Sequence, residues 1–274
     1  MAAVARPQHS SAIAIDTTYS NKRTMKNQFG VFLSAALLFE LAGLLAPPEA
    51  AMAQEGAGER PPICEPAVLS GFTRCNYEGG DNYVGFVANG LPNGRGTFVY
   101  SGGDRYEGEF RNGLPNGRGR FVFQDDARYE GTFRNGVFVS GRAIYSNGDV
   151  YEGSFDVVRN VESGEVSSQP GGRGTFRFAN GSRYVGEFFA GQPFGKGTFV
   201  HVVNGVQRLR CDGQFFNESL DGKGTCTYNN GDRYQGEYRQ GLPHGTGTLI
   251  RSDGSRFSGL FRGGQPFTGE EGGS

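Results

Sequence analysis

Tryptophan is absent from these 274 residues, and histidine, methionine and cysteine are scarce, at three, three and four copies. Each shortage closes off a class of function. Past the N-terminal leader only His201 and His244 remain. They stand far apart, with no H-E-x-x-H or C-x-x-C beside them, so a metal centre has no ligand set to draw on. There is no G-x-S-x-G elbow and no P-loop. The G-R-G and G-K-G pieces around Arg95, Arg118, Arg173, Lys196 and Lys223 have the wrong spacing for one, and no helix follows them. An excess of either charge is missing as well. Four of the 27 Lys/Arg and three of the 28 Asp/Glu fall in residues 1–53, which leaves 23 against 25, a balance that favours neither nucleic acid nor an anionic membrane. Only 36% of residues are hydrophobic, too few aliphatics for a thick core in a chain of this length. The expectation is a non-catalytic chain without a cofactor.

What the chain has instead is glycine and aromatic rings, 47 Gly, 23 Phe and 12 Tyr, set at fixed intervals. The stretch GGDRYEGEFRNGLPNGRGRFVFQDD, residues 102–126, defines the pattern through Tyr106, Gly108, Phe110, Gly113, Gly117, Gly119 and Phe121. Its first column returns at Tyr83, Tyr129, Tyr151, Tyr184, Cys211, Tyr234 and Phe257. From Tyr83 the intervals are 23, 23, 22, 33, 27, 23 and 23 residues, which makes eight units. Tyr106, Gly108 and Phe110 lie at i, i+2 and i+4 and so share one face of a strand, with Arg105, Glu107 and Glu109 on the other. Gly117, Gly119, Phe121 and Phe123 alternate on a second strand, and the N-G-L-P-N-G between them is turn chemistry. Each unit is therefore a β-hairpin.

Pairing Phe110 with Gly117 sets Gly108 opposite Gly119 and Tyr106 opposite Phe121. The paired glycines then leave a floor for rings from adjacent hairpins. The same register puts Glu109 across from Arg118 and Glu187 across from Lys196. The packing columns read as Tyr83, Tyr106, Phe110, Tyr129, Phe133, Tyr151, Phe155, Tyr184, Phe188, Tyr234 and Tyr238. Repeated over residues 80–269, the unit predicts an all-β fold, an elongated up-and-down antiparallel hairpin solenoid of roughly sixteen strands. Departures are local. Val87 replaces the Phe of unit one, and Glu218 replaces a turn glycine of unit six. Ala143 stands where unit three should carry its second paired glycine, with the turn from Gly136 to Gly141 read as one residue longer. Unit four holds ten additional residues between Phe155 and Gly172, so 156–171 is read as a surface loop and a candidate recognition element. Asn204-Gly205 marks a lengthened turn, and unit eight stops early.

The skeleton Y-x-G-x-F-x-x-G-x-x-x-G-x-G is met at every fixed position from Tyr106 to Gly119. It resembles the MORN (membrane occupation and recognition nexus) repeat. That resemblance implies scaffolding and protein–protein contact and, for some members, membrane association with phospholipid recognition. Enzymes that carry such repeats have a separate catalytic domain attached, and none is read in these residues.

Residues 29–46 are apolar apart from Ser34 and Glu40, follow Lys22, Arg23 and Lys26, and precede Ala51-Met52-Ala53. That order makes residues 1–53 a leader and secretory signal peptide, with cleavage before Gln54 and Met25 as the better-proportioned start. The other reading is an uncleaved membrane anchor over 29–46, against which Glu40 counts. Residues 54–79 read as linker and N-terminal cap, and 270–274 as a tail. Export to a periplasmic or secreted location turns the four cysteines into two disulfides. The hairpin register sets Cys211 opposite Cys226, and Cys64–Cys75 closes the cap. Turn residues Asp81, Asp104, Asp149 and Asp232 are read as local Asx hydrogen bonds. The outward face carries an arginine column that includes Arg105, Arg128, Arg183 and Arg233, the candidate binding residues. The reading is a scaffold for a protein partner in the cell envelope or extracytoplasmic space; the alternative is a phospholipid- or glycan-binding module at a membrane or wall surface.

Overall fold

Residues 61–159 and 166–268 are described by the structure, a computed structural model. The leader and signal segment, residues 54–60, the middle of the unit-four insertion and the tail lie outside them. The cap contributes β1 (Ile63–Glu65) and β2 (Gly71–Asn76). The eight hairpins are β3 (Asn82–Ala88) with β4 (Leu91–Val99), β5 (Arg105–Arg111) with β6 (Leu114–Val122), β7 (Arg128–Arg134) with β8 (Val137–Ile144), and β9 (Val150–Arg159) with β10 (Val166–Arg177). They continue as β11 (Arg183–Phe189) with β12 (Gln192–Val203), β13 (Val206–Phe216) with β14 (Ser219–Tyr228), β15 (Arg233–Arg239) with β16 (Leu242–Ile250), and β17 (Arg256–Arg262) with β18 (Gln265–Phe267). Each strand pairs antiparallel with the next, so one open sheet runs in chain order from β1 to β18. Asn112 and Gly113, at φ 49° and 84°, make the two-residue left-handed turn that suits the twist of a hairpin.

The glycine columns become a single seam. Gly108 faces Gly119 within its hairpin and Gly96 on the preceding one, and Gly119 faces Gly131 on the next. The same opposition carries on strand by strand to Gly247 and Gly259. The side chain over each paired glycine of a hairpin, a ring in all but hairpin six, comes from the same hairpin, not the adjacent one that the sequence suggested. Tyr106 lies back along its own strand, so that a Cβ on Gly108 would sit 2.5 Å from its hydroxyl oxygen and one on Gly119 would sit 2.5 Å from its ring. Adjacent hairpins meet the ring edge-on instead. Tyr106 is clasped between Phe110 at 5.0 Å and Phe133 of the next hairpin at 5.0 Å, with both rings near perpendicular to it. Tyr151, Tyr184 and Tyr234 are clasped in the same way. Edge-to-face pairs contribute roughly 0.5–1.5 kcal/mol each beyond area burial. Tyr83, Tyr106, Tyr129, Tyr151, Tyr184 and Tyr234 are at most 1% exposed, and Phe110, Phe133, Phe155, Phe188 and Tyr238 are buried beside them.

Part of the expected register is corrected. Phe110 pairs with Pro115, and Gly117 instead faces Phe133 on β7. A bulge lets Asn116, Gly117 and Arg118 together oppose Glu109 alone. In the ladder Glu109 faces Arg95 of the neighbouring hairpin, and within the bulge its carboxylate accepts the Arg118 N–H at 3.4 Å without pairing the guanidinium; Glu187 faces Phe194 and Arg173 and forms its ion pair with Arg173, not Lys196. Gly117, at φ 108°, takes the left-handed conformation the bulge requires. The bulge adds two residues, an even number, so it leaves the side chains on the faces that alternation had assigned. At the bulge the Glu109 carbonyl accepts a hydrogen bond from the Tyr106 hydroxyl at 3.0 Å. The same bond runs from Tyr83 to Phe86, Tyr151 to Ser154, Tyr184 to Glu187 and Tyr234 to Glu237.

Hairpin three is one residue shorter in its second strand than the regular hairpins, not longer. Gly141 faces Gly131, and Ala143 faces Tyr129 in the place of a phenylalanine. Phe138 fills the space so released, stacking on Tyr129 at 4.8 Å and 18°. In hairpin six Cys211 and Cys226 face each other and are bonded, with Cα atoms 4.1 Å apart, and Leu220 covers Gly213 and Gly224. Cys64 and Cys75 are joined across β1 and β2. The insertion in hairpin four is strand, not loop, over 156–159 and 166–171. Asp156 pairs with Gln169 and Val158 with Ser167, and the Ser168 hydroxyl donates to the Phe138 carbonyl at 2.7 Å.

Two rows of bonds tie hairpin to hairpin outside the ladder. The turn aspartates do not make the local Asx bonds expected of them: within their own turns Asp149 and Asp232 accept the side-chain amides of Asn147 and Asn230, and the backbone bonds run to the next hairpin. Asp81, Asp104, Asp149 and Asp232 each accept the backbone N–H of the following hairpin's turn, at Ser101, Gln124, Ala179 and Ser252, over 2.7–2.9 Å. The local Asx bonds come from Asn147 and Asn230, two residues earlier. At the opposite end, the turn N–H of Gly113, Gly136 and Gly264 donates to the carbonyl of Pro92, Pro115 and Pro243 in the hairpin before.

Gly119→Ala should lower stability by about 1–3 kcal/mol, because the Tyr106 ring has nowhere to retreat. In a repeat array that damage stays near its source. Hydrogen exchange should show lost protection in β5–β7 and none in β15 and β16; a uniform loss along the sheet would contradict the seam as a local device. A second expectation follows from the phenols. Burial holds the Tyr83, Tyr106, Tyr151 and Tyr184 hydroxyls well above the ordinary tyrosine range and pushes Tyr234 up to about 12. Below pH 10 the folded and unfolded chains are equally protonated. Above it the unfolded chain sheds protons that the fold retains, so stability falls as pH rises, by up to about 1.4 kcal/mol per pH unit for each such tyrosine. Urea midpoints should drop steeply above about pH 10, with phenolate absorbance appearing only as the sheet unfolds. Phenolate formed while the strand circular dichroism stays intact would overturn this.

Candidate functional site

The two faces of the sheet have different occupations. Rings and the seam fill one. On the other, a hairpin such as β5–β6 presents Arg105, Glu107 and Arg120, and the charges are largely paired. Arg105 meets Glu107 at 3.0 Å, Glu130 takes Arg120 at 3.3 Å and Arg128 at 3.6 Å, Arg177 meets Glu152 at 3.6 Å, and Arg210 meets Asp212 at 2.9 Å. These are exposed pairs that contribute roughly 0–1 kcal/mol each. The four candidate arginines therefore divide: Arg105 and Arg128 are engaged by acids, whereas Arg183 and Arg233 are exposed and form no ion pair among the described residues.

Glycines leave the floor of a strand bare where other residues would raise side chains, and among the described residues three open depressions lie along the polar side of the seam, each floored by seam glycines. The first, of about 660 Å³, spans Gly85 to Gly119 and is edged by Phe72 and Phe86. The second, of about 790 Å³, spans Gly174 to Gly213 and is edged by Arg173, Lys196 and Lys223. The third, of about 1000 Å³, spans Gly213 to Gly259 and includes Arg233 and Arg256.

Sequence reasoning missed a feature beside the second depression. Phe189, Phe194 and Phe216 are 65%, 41% and 54% exposed, with ring centroids 5.6 and 6.0 Å apart in sequence along the cluster. Phe189 and Phe216 occupy the column held by Arg111, Arg134, Arg239 and Arg262 in other hairpins, and Phe194 the one held by Asn93, Asn116 and His244. The signal was there in the outward columns, where three polar positions turn aromatic, but attention to the inward pattern hid it. A smaller outward pair, Phe72 and Phe86, packs edge to face at 5.6 Å near the cap.

The serine–histidine contact found among the described residues is structural. His201 Nδ1 lies 3.4 Å from Ser182 Oγ, but that serine accepts the Val202 N–H at 2.9 Å, the tie that the turn aspartates make elsewhere. Burial lowers the pKa of the imidazole, and Phe199 stacks alongside it. Among the described residues no group of three His, Cys, Asp or Glu could hold a metal ion, and no helix is long and apolar enough to cross a membrane.

Comparison with known proteins fits this geometry. Among solved structures the chain is similar to the CPAP G-box domain, at 12% identity over 70% of this chain and 87% of that one, with a TM-score of 0.30. It is also similar to the SAS-4 (dCPAP) TCP domain of Drosophila melanogaster, solved with a proline-rich motif of Ana2, at 13% identity over 74% of this chain and 90% of that one, with a TM-score of 0.28. Those scores are too low for either likeness to bear on what the chain binds. No curated protein sequence matches it. The model of the MORN repeat matches residues 83–105, 106–128, 129–150, 167–183, 184–205, 211–233 and 234–256, more than half of the chain. Six of the seven matches begin on a first-column residue; that of hairpin four begins at Ser167 within β10, so Tyr151 and most of β9 fall outside the matches, as does the short hairpin eight. On that footing the chain belongs to the MORN-repeat family.

Proposed function

We propose that this chain is a non-catalytic scaffold that binds a protein partner through the polar face of its sheet, in the cell envelope or another extracytoplasmic space. One observation carries the reading. The aromatic face is consumed by its own packing, and the opposite face carries open depressions, unpaired cations and exposed phenylalanines for which the fold has no internal use. MORN repeats are typically protein- or membrane-interaction repeats, which agrees with a surface built for contact. The two bonded cysteine pairs support an oxidising compartment, in line with the signal-like order of residues 22–53.

The phospholipid or glycan reading rests on Arg183 and Arg233, the arginines left without acids. It is the weaker one, because the paired charges of the other columns leave little net field to draw an anionic surface. Affinity capture with the full chain from its own envelope fraction, run beside anionic liposomes and a glycan array, separates the two. Specific protein capture without liposome or glycan retention is expected, and the reverse pattern would sink the scaffold reading. The captured form should begin at Gln54; a recovered chain that still contains Phe29 to Leu45 would show the anchor instead.

A further inference from the structure

We infer that the phenylalanine cluster of hairpins five and six, with the two lysines beside it, docks an extended acidic segment of the partner that also carries an aromatic or large aliphatic residue. The inference rests on the proposal above that the polar face binds protein, and it names the part of that face and the chemistry it selects.

Charge within the second depression is one-sided. Its charged edge residues are Arg173, Lys196, Lys223 and Asp212. Asp212 is already taken by Arg210 at 2.9 Å and by the Thr198 hydroxyl at 2.5 Å, and Arg173 is held by Glu187 at 3.8 Å. Lys196 and Lys223 are exposed and form no ion pair among the described residues; Glu237 faces Lys223 in the ladder, but its carboxylate is taken by the Thr246 N–H and hydroxyl. They sit on β12 and β14, with Gln214 of β13 facing Lys196 between them, so two strand spacings, about 10 Å, separate them. An extended chain covers that distance in about three residues, which matches two carboxylates on one short segment.

The aromatic row runs parallel to the lysine row. Phe194 precedes Lys196 by two residues and Phe216 follows Gln214 by two, and Phe189 extends the row to β11. Exposed aromatic clusters on a soluble face mark contact sites, and buried aromatic anchors carry most of the affinity where such sites are filled. The strands here lie inside the sheet with both neighbours paired, so a partner cannot add a strand. It must instead be read by side chains, carboxylates on the lysines and an apolar group on the rings. A depression edged by the lysines favours a narrow segment that enters it over a flat bilayer.

The test pans a displayed library of random dodecapeptides against the full-length chain. It uses Phe194→Ser with Phe216→Ser, and separately Lys196→Glu with Lys223→Glu, as counter-targets; all four side chains are exposed, so the fold does not depend on them. Enriched peptides should be acidic and contain an aromatic or leucine, and each double variant should weaken a synthesised winner by about tenfold or more. Enrichment of basic peptides, no enrichment, or equal binding by both variants would overturn the inference. So would retention of phosphatidylglycerol vesicles by the wild type that is lost in the variants. Envelope capture repeated with the two variants keeps the two readings apart. If the wild type and both variants capture the same protein, the scaffold proposal stands and this site is wrong; if the wild type captures none, the scaffold proposal itself fails.

Discussion

The structure depends on a close approach. Tyr106 and its counterparts can lie flat along the sheet only because each residue beneath them lacks a Cβ, and the hydroxyl finds its acceptor only because a bulge presents a carbonyl at the end of the ring. The glycines weaken a strand in isolation, while the ring they admit is at most 1% exposed in six hairpins and contributes edge-to-face contacts in two directions. The core is therefore one ring thick. It explains how a chain with so few aliphatic residues buries enough apolar surface to fold, and why the same two glycine columns recur whatever else varies.

Where a hairpin lacks one part of this arrangement, another side chain takes its place over the seam. Hairpin three has Ala143 in a phenylalanine column, and Phe138 swings in to cover Gly141. Hairpin six has Cys211 in place of the first-column tyrosine, and Leu220 covers its glycines. The disulfide there closes a loop with a sequence separation of 15, which is worth roughly 3 kcal/mol in the chain-entropy account. The tyrosine it replaces would have supplied about 1 kcal/mol from its hydroxyl bond and roughly 0.5–1.5 kcal/mol from each ring contact. The two are of the same size, so hairpin six holds its place in the array provided the compartment keeps the cysteines oxidised.

Much of this was legible in the residues. Alternation at Tyr106, Gly108 and Phe110 gave the strand and its buried face, the Asn-Gly turns gave the hairpins, and the opposition of Cys211 to Cys226 came out of the register. What stayed hidden has a common cause. A repeat pattern reports which columns are fixed and says nothing of how many residues bulge between them. Because the usual bulge is two residues, every face assignment survived while the pairings of Phe110, Glu109 and Glu187 did not. In hairpin three the bulge is a single residue, and Gly141 was placed one column early. The turn aspartates show a different limit: Asp104 looks like a local cap from its own neighbours, and its true acceptor role toward Gln124 lies 20 residues on, in the next copy of the same turn.

The binding surface was the least legible part, for a reason that follows from the one-sided core. Packing constrains the inward columns so tightly that they define the repeat; the outward columns are held only to a polar character, so a recognition site there shows as a local departure and not as a repeated signal. Function has to be sought where one hairpin differs from the others on that free face. Arg111, Arg134, Arg239 and Arg262 show what the column carries when nothing but solubility is asked of it, and Phe189 and Phe216 break that rule on the two hairpins that also border Lys196 and Lys223. Aromatic rings are an unfavourable choice for an exposed sheet, since they invite association, and their concentration at one stretch beside unpaired lysines is better explained by a partner that covers them than by packing, which they do not serve.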